Sequence, residues 1–170
     1  FAVGSFFGLQ TDGLFRTQED LNNSLPQFGY SVDQTHTWLG DIRYKDISGV
    51  DGKPDGIIDE KDITFIGSPL PKFTYGFTNS FTYKNFDLNI MLQGVHGSEV
   101  LHLGKRFYTQ MEGNQNQMRS VLNRWQSEEN PGDGWTPRAN SSTTGQNNAV
   151  SSRWVEDGSF IRINNLTLGY

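Results

Sequence analysis

An alternation of aromatic and polar residues between positions 73 and 83 constrains the fold more than any other feature of the sequence. Aromatic side chains occupy every second position except Asn79, and Thr, Gly and Ser fill the positions between them. This period of two predicts a β-strand with one apolar face. Lys84-Asn85 supplies a turn, and a second alternation follows, which predicts a hairpin. Its apolar face comprises Phe73, Tyr75, Phe77, Phe81, Tyr83, Phe86, Leu88, Ile90 and Leu92.

Two interpretations fit this hairpin. In the first, it is a half-buried pair of strands in a soluble β-sandwich. In the second, it crosses a membrane with its rings toward lipid and its polar side chains toward water. Eleven residues that rise about 3.3 Å each and tilt by ~40° span ~28 Å, close to the ~25 Å apolar band of an outer-membrane barrel. Strands of soluble proteins typically have ~5–6 residues, so the length favours the membrane.

Further strands and two long connections complete the predicted outline. Strands are expected at about residues 1–9, 73–83, 86–94 and 159–170, with a β-bulge at Asn164-Asn165, where the apolar positions change parity. The connections, at about 10–71 and 95–158, leave the hairpin at the end opposite its short turn, which is typical of outer-membrane barrels. We therefore predict an all-β fold: antiparallel transmembrane β-barrel strands with long, partly helical extracellular loops.

The helical parts of these connections have their own signals. Thr17-Gln-Glu-Asp20 resembles a capping box, which marks a helix start before Leu21. Apolar residues between Met111 and Trp125 recur at helical spacing, and Asn130-Pro131-Gly132 follows them. The pattern predicts a second short helix there.

Composition and charge exclude several classes of protein. A net charge of −5 gives no basic surface for nucleic acid, and zero Cys removes disulfides and thiol catalysis. His36, His96 and His102 are isolated from one another and from any nucleophile pattern, so we predict that the chain is not an enzyme. The chain begins without Met or an apolar leader and ends within an apparent strand, so we expect a piece of a longer protein.

The segment from Asp51 to Asp62 is a candidate calcium loop. Compared with the twelve-residue EF-hand pattern, Asp51, Asp55 and Asp62 occupy positions one, five and twelve, Asp59 occupies position nine, and Ile57 offers its backbone carbonyl. Lys53 at position three does not match, because an ammonium cannot bind a cation. Two interpretations remain open: a calcium site, or an acidic turn whose carboxylates accept hydrogen bonds from backbone amides.

The four tryptophans all lie in the long connections. They are Trp38, Trp125, Trp135 and Trp154. Exposed rings beside Asn, Gln and Asp side chains can stack on sugars and orient their hydroxyls, so these residues are candidates for contact with a ligand or with a partner that covers the loops. The alternative is that the long connections use the rings for small cores of their own.

A family resemblance is carried by segments spread over most of the chain. They are Gly4–Phe15, Gly40–Asp46, Ile66–Gly76, Phe86–Gly94, Arg124-Trp125 and Trp154–Tyr170. Together, and in this order, they resemble the C-terminal part of the SusC/RagA-like TonB-dependent outer-membrane transporters of Bacteroidetes. The loop departs from the family's usual Asp-x-Asn-Gly-Asp-Gly form, because Val50 and the Pro54-Asp55-Gly56 unit lengthen it.

The resemblance implies a function that the residues alone do not give. Such proteins are large barrels in the outer membrane of Gram-negative bacteria, with a plug that connects to the TonB system. A SusD-like lipoprotein covers their extracellular loops, and they import glycan oligosaccharides or peptides. The present chain would then supply wall strands and two extracellular loops. The alternative from another class is a soluble secreted β-sandwich that binds carbohydrate and has a calcium-stabilised loop.

Overall fold

The computed structural model describes residues 3–49, 51–111, 115–140 and 146–170. Its strands are β1 (Phe6–Gly8), β2 (Thr11–Leu14), β3 (Ile42–Tyr44), β4 (Thr64–Gly67), β5 (Phe73–Tyr83), β6 (Phe86–His96), β7 (Glu99–Leu101), β8 (Val155–Asp157) and β9 (Phe160–Gly169). Its α-helices are α1 (Gln18–Asn22) and α2 (Gly104–Thr109), and 3₁₀ turns cover Glu60–Asp62, Arg119–Asn123, Gln146–Asn148 and Ser152–Trp154. Within these ranges, no helix has the length and apolar character needed to cross a bilayer.

The three long strands form one antiparallel sheet in the order β5-β6-β9. β5 and β6 pair along their whole length, and Lys84 in the turn between them has a φ of 53°, the left-handed conformation that tight hairpin turns use. β5 covers the residues of the aromatic alternation, and β6 continues to His96, past the predicted end at 94. Val95 near the end of β6 lies opposite Phe160 at the start of β9, so both long connections leave the sheet at the end opposite the turn.

A β-bulge in β9 brings two halves of an apolar pattern onto one face, which confirms the predicted bulge. In the ladder with β6, Ile163 and Asn165 pair with consecutive residues, so Asn164 between them is the extra residue. One extra residue reverses the parity of a strand. The side chains that consequently face the same way are Ile161, Ile163, Leu166 and Leu168.

The two outer predicted strands are shorter in the structure. The strand predicted at 1–9 is limited to Phe6–Gly8, because Gly4 has a φ of 83° and turns the chain just before it. Residues 1 and 2 lie outside the described ranges. The strand predicted at 159–170 runs from Phe160 to Gly169.

The chain divides into two compact units. The first contains the long sheet and comprises Phe1–Phe6, Gly67–Leu101 and Val155–Tyr170. The second, which we call the loop body, comprises Phe7–Ile66 and His102–Trp154. The loop body is therefore built from the two long connections, which fold with each other instead of remaining separate loops.

The loop body has a small apolar core of its own. The buried residues of this core are Leu9, Leu14, Ile42, Tyr44, Ile58 and Trp125. Gly40 permits the packing, because it has a φ of 83° and a Cβ atom there would lie 2.4 Å from the Trp125 ring. A residue other than glycine would meet both steric strain in the backbone and a collision with the ring.

The helices of the loop body follow one of the two predictions. Thr17 and Asp20 form the capping box at the start of α1, each side chain accepting a hydrogen bond from the other's backbone N–H. The helix predicted between Met111 and Trp125 is wrong: the described residues there form a 3₁₀ turn over Arg119–Asn123, and Met111 has a φ of 55°. Leu122 is exposed, so the helical spacing did not mark a buried stripe. Residues 112–114 lie outside the described ranges.

Candidate functional site

The apolar side chains of the long sheet form one continuous face. In its central row, Phe77 of β5 lies opposite Leu92 of β6, which lies opposite Ile163 of β9. The nine residues predicted for the apolar face of the hairpin all lie on this side, and the bulge adds the four apolar residues of β9. Asn79, opposite Ile90, is the polar interruption that the sequence showed.

This face is exposed rather than packed against protein. Phe77 is 54% exposed and Phe81 is 55% exposed, and Leu168 at the edge of the sheet reaches 72%. Leu88, Ile90 and Leu92 are half-buried, because β6 has a neighbouring strand on both sides. Contiguous exposed apolar surface is rare on soluble monomers and marks interaction with a membrane or a partner.

Aromatic residues concentrate at both ends of the face. At the end where the long connections leave, the Phe73 ring lies 5.9 Å from Tyr75 and 5.0 Å from His96. At the turn end, the Phe86 ring lies 4.8 Å from Tyr170. Aromatic residues at both ends of an apolar band are the arrangement that membrane barrels show at their two interfaces.

The opposite face of the same sheet is mostly polar, with Met91, Val95 and Phe160 as its apolar members. Threonines and Ser80 line it on β5, and Ser80 donates a hydrogen bond to Asn89 of β6 at 3.1 Å. Arg162 of β9 donates to Gln93 of β6 at 3.1 Å. A sheet that is apolar on one side and hydrogen-bonded polar on the other suits a wall between lipid and water.

The loop body is organised around one buried carboxylate. Asp41 accepts hydrogen bonds from Nε and Nη2 of Arg138, both at 2.9 Å, and from the side-chain amide of Asn147 at 2.9 Å. The backbone N–H of Trp38 also donates to it at 2.9 Å, and Ile42 donates to the Asn147 oxygen at 2.8 Å. This network joins the first long connection to the second.

Sequence reasoning missed this network, because its members are far apart along the chain. Arg138 and Asn147 are separated from Asp41 by 97 and 106 positions, and no local spacing connects them. The available signal was the Gly40-Asp41 pair within one of the segments that carry the family resemblance. A glycine in the left-handed region followed by a carboxylate marks a constrained position.

The carboxylates of the Asp/Gly loop mostly accept hydrogen bonds from backbone amides. Asp62 is fully buried and accepts from Ile47, Ser48 and Asp59, at 2.7, 3.0 and 2.9 Å. Asp46 accepts from the N–H groups of residues 55 and 56. The loop is therefore held closed by the same interactions that the metal-free interpretation predicted.

The Lys61 ammonium lies beside two of the carboxylates that were predicted to bind calcium. Its Nζ lies 3.4 Å from a carboxylate oxygen of Asp59 and 3.6 Å from one of Asp55. Those carboxylates raise the pKa of the Lys61 ammonium, Asp59 first. Among the residues that the structure describes, no three His, Cys, Asp or Glu side chains are grouped so that they could hold a metal ion. Asp51 is exposed, and Ile58 is buried in the core of the loop body.

Two solved structures share the fold of this chain. The RagAB peptide importer in its closed-closed state superposes with a TM-score of 0.63 at 19% sequence identity, over 96% of this chain and 16% of that chain. The RagAB peptide transporter gives a TM-score of 0.62 at 20% identity, with the same coverage. The three long strands therefore have the fold of a β-barrel wall, which confirms the predicted fold class.

Two curated proteins of Formosa agariphila match almost the whole chain in sequence. TonB-dependent receptor P26 is 35% identical over 170 residues, and TonB-dependent receptor P3 is 32% identical over 177 residues, each covering 99% of this chain. The chain belongs to the SusC/RagA-like TonB-dependent receptors. It spans about one sixth of the length of these relatives, 16% and 15%. No family model matches the chain.

The tryptophans of this receptor segment divide into buried and accessible rings, which corrects two of the four predicted contact residues. Trp125 is buried in the core of the loop body, and Trp154 is 1% exposed, its indole N–H donating to the Ala149 carbonyl at 2.9 Å. These two rings build the loop body itself, so they offer no surface to a ligand. Trp38 is half-buried and Trp135 is 49% exposed, and ligand contact at these two stays a prediction.

Arg153 lies between two of these rings. Its guanidinium carbon is 5.6 Å from the Trp135 ring and 5.3 Å from the Trp154 ring, and it donates a hydrogen bond to the Trp135 carbonyl. Burial lowers the pKa of Arg153 to about 10, so the group stays charged at neutral pH. The contact fixes Trp135 at the surface of the loop body by a cation–π interaction.

Calcium binding by the receptor's Asp/Gly loop stays a prediction, and it requires Ca²⁺ to displace the Lys61 ammonium. We expect Lys61→Ala to tighten calcium binding by about tenfold, which corresponds to ~1.4 kcal/mol, because it removes the competing cation. Asp59→Asn should abolish binding. Isothermal titration of the full-length receptor measures both. Lys53→Ala is the control, since it removes the same charge from the loop but not the contact with Asp55 and Asp59. If no calcium binding depends on Asp55 or Asp59, the prediction of a calcium site is wrong.

Proposed function

We propose that this segment forms part of the wall and the extracellular loop body of an outer-membrane transporter in a Gram-negative bacterium. The observation that carries the proposal is the exposed apolar face of the long sheet, bounded by aromatic residues at both ends and backed by a polar face. Lipid would cover the apolar face, and the polar face would line the interior of the barrel. The membership in the TonB-dependent receptors supports the same role.

The family and the related structures support a proposal for the cargo and the partners. We propose import of glycan oligosaccharides or peptides, powered by the TonB system through a plug region elsewhere in the receptor. The structural relatives are described as a peptide importer and a peptide transporter. A SusD-like lipoprotein would cover the loop body from the outside. The relatives are receptors by name, which supports a role without catalysis.

The soluble β-sandwich is the weaker alternative, because it needs protein over the apolar face. In a sandwich, Phe77 and Phe81 would be packed against a second sheet. Both are more than half exposed, and β5, β6 and β9 form a three-stranded sheet of their own in the described chain.

Partitioning of the full-length receptor tests the proposal. We expect it to sediment with the outer membrane, to resist extraction by salt or alkaline carbonate, and to require detergent for solubility. Fractions of the native organism, probed with an antibody against the loop body, would show this directly. Recovery of the receptor in the aqueous phase without detergent would contradict the barrel and favour the soluble sandwich.

A further inference from the structure

One groove on the loop body combines an aromatic ring with groups that bind hydroxyls. Its volume is about 590 Å³, within the range usual for small-ligand sites. The residues that line it are Phe28, Tyr30, Asp59, Glu60, Lys61 and Gln146. They come from both long connections, and all of them lie within the loop body.

A tight turn holds Tyr30 at this groove. Phe28 and Gly29 have φ values of 55° and 74°, and the Tyr30 N–H donates to the Gln27 carbonyl at 3.0 Å, closing the turn. Phe28 in turn donates to the Ile58 carbonyl at 2.7 Å, which ties the turn to the Asp/Gly loop. A phenylalanine in the left-handed region costs about 1–2 kcal/mol, and strain of this kind concentrates at binding sites.

The Tyr30 ring is stacked on a neighbouring ring and is still partly exposed. His36 stacks on it with the ring centroids 4.7 Å apart and the planes 12° from parallel. Both carboxylate oxygens of Asp33 lie 3.0 Å from Nδ1 of His36. Hydrogen bonds from Ser31 and then His36 hold the pKa of Asp33 well below its usual range, so the Asp33 carboxylate stays charged at neutral pH. Tyr30 remains 39% exposed.

The polar groups around the Tyr30 ring favour a neutral ligand with hydroxyl groups over an anionic ligand. Glu60 is exposed, and the backbone carbonyl of Gln146 accepts a hydrogen bond from the Tyr44 hydroxyl at 2.6 Å, which holds this residue at the groove. Lys61 already neutralises Asp59 in part, which leaves an excess of acceptors. Carboxylates and amides exchange hydrogen bonds with sugar hydroxyls, while the C–H face of a hexose packs on an aromatic ring. The excess of negative charge disfavours anionic ligands.

The second large groove of the loop body lacks this combination. It has a volume of about 630 Å³, and its two aromatic residues are Phe15 and Tyr44. Both rings are buried, at 1% and 3% exposure, so neither can serve as a stacking surface. Of these two grooves of similar size, only the first has an exposed aromatic ring, that of Tyr30.

We propose that the Tyr30 groove binds a neutral oligosaccharide, with one hexose ring stacked on Tyr30 and its hydroxyls bonded by Asp59, Glu60 and Gln146. The inference rests on the proposed transport function and narrows its cargo to glycans. A peptide also offers N–H donors to these acceptors, but it lacks the flat C–H face with hydroxyls around its edge that a hexose presents to a stacked ring.

Binding of defined glycans to the full-length receptor in detergent tests this assignment. An array of neutral α- and β-linked glucose, galactose, mannose and xylose oligosaccharides selects a ligand, and isothermal titration then measures its affinity. We expect Tyr30→Ala to weaken binding about tenfold or more and Glu60→Gln severalfold, as for central contact residues. Tyr108→Ala is the matched control, because Tyr108 is an exposed ring of the loop body outside the groove.

The possible outcomes test glycan binding at the groove separately from the proposed transporter function. Tyr30→Phe keeps the ring and should retain most of the affinity, which guards against a folding defect in the alanine variant. Failure of every neutral oligosaccharide to bind, or binding that Tyr30→Ala and Glu60→Gln leave unchanged, overturns the inference. A mixed-sequence hexapeptide that binds in a Tyr30-dependent manner overturns it in favour of peptide cargo. Outer-membrane fractionation of the same receptor reports on the transporter proposal independently.

Discussion

Lysine in place of Phe77 should lower the free energy of unfolding of the receptor in lipid by about 2–4 kcal/mol. Phe77 lies near the middle of β5, on the apolar face, in a row with Leu92 and Ile163. An ammonium at the middle of the bilayer loses its hydration, or it draws water and headgroups into the hydrocarbon, and both are costly. Denaturant unfolding of the full-length receptor in lipid vesicles measures the loss.

Thr78→Lys is the matched control for this prediction. Thr78 is the next residue along β5 and lies opposite Met91 on the polar face, where a new ammonium would meet water. We expect a change below about 1 kcal/mol there, as for a substitution on the lumen side of a barrel. Tyr83→Lys, near the turn, should fall between the two because the cost declines toward the interfaces. Equal losses at residues 77 and 78 would contradict a sheet with lipid on one face.

The long sheet could be predicted from the sequence because its signal is local. The alternation of apolar and polar residues assigns each residue of β5 to one face of the sheet, and the turn at Lys84-Asn85 sets the register of β6. Even the bulge at Asn164 was visible, since apolar residues cannot change parity on one face without an extra residue. The extent of β1 was less accurate, because Gly4 turns the chain just before Phe6.

The loop body could not be predicted in the same way, because distant residues determine it. The helical spacing between Met111 and Trp125 is a local pattern, but the chain there follows a 3₁₀ turn and places Leu122 in solvent. The sequence gives the positions of the tryptophans, but it does not show which of their side chains are buried. Trp125 is covered by packing at Gly40, and Trp154 by its own turn and the Ala149 carbonyl, and neither contact has a sequence signal.

The Asp/Gly loop was partly predictable, less so than the long sheet and more so than the rest of the loop body. Its residues left calcium binding and backbone capping as equal interpretations. The structure adds one fact that spacing could not supply: the Lys61 ammonium lies beside Asp55 and Asp59. A positive charge at this point is an internal counter-ion, and any metal has to compete with it.

Removal of the Arg138 side chain should destabilise the loop body by about 3–5 kcal/mol. The pair that it forms with Asp41 is bidentate and buried, with side-chain exposures of 16% for Arg138 and 4% for Asp41. Arg138→Ala leaves a carboxylate in the interior without a counter-ion, which costs more than the pair contributes when intact. Hydrogen exchange of the full-length receptor, followed by mass spectrometry, should show lost protection at residues 38–42 and 146–149.

Arg43→Ala is the control that separates this effect from the loss of any arginine. Arg43 lies 3.0 Å from Asp12 and 3.5 Å from Asp20, but these side chains keep 32–46% of their surface exposed, so the expected loss is about 1 kcal/mol or less. Arg138→Lys should fall between the two, because an ammonium keeps the charge and loses the second hydrogen bond. Replacing Asp41 and Arg138 together with leucine should recover part of the loss, since no charge then remains unpaired. Equal effects of Arg138→Ala and Arg43→Ala would mean that the two long connections are held together by their apolar core and not by the Asp41 network.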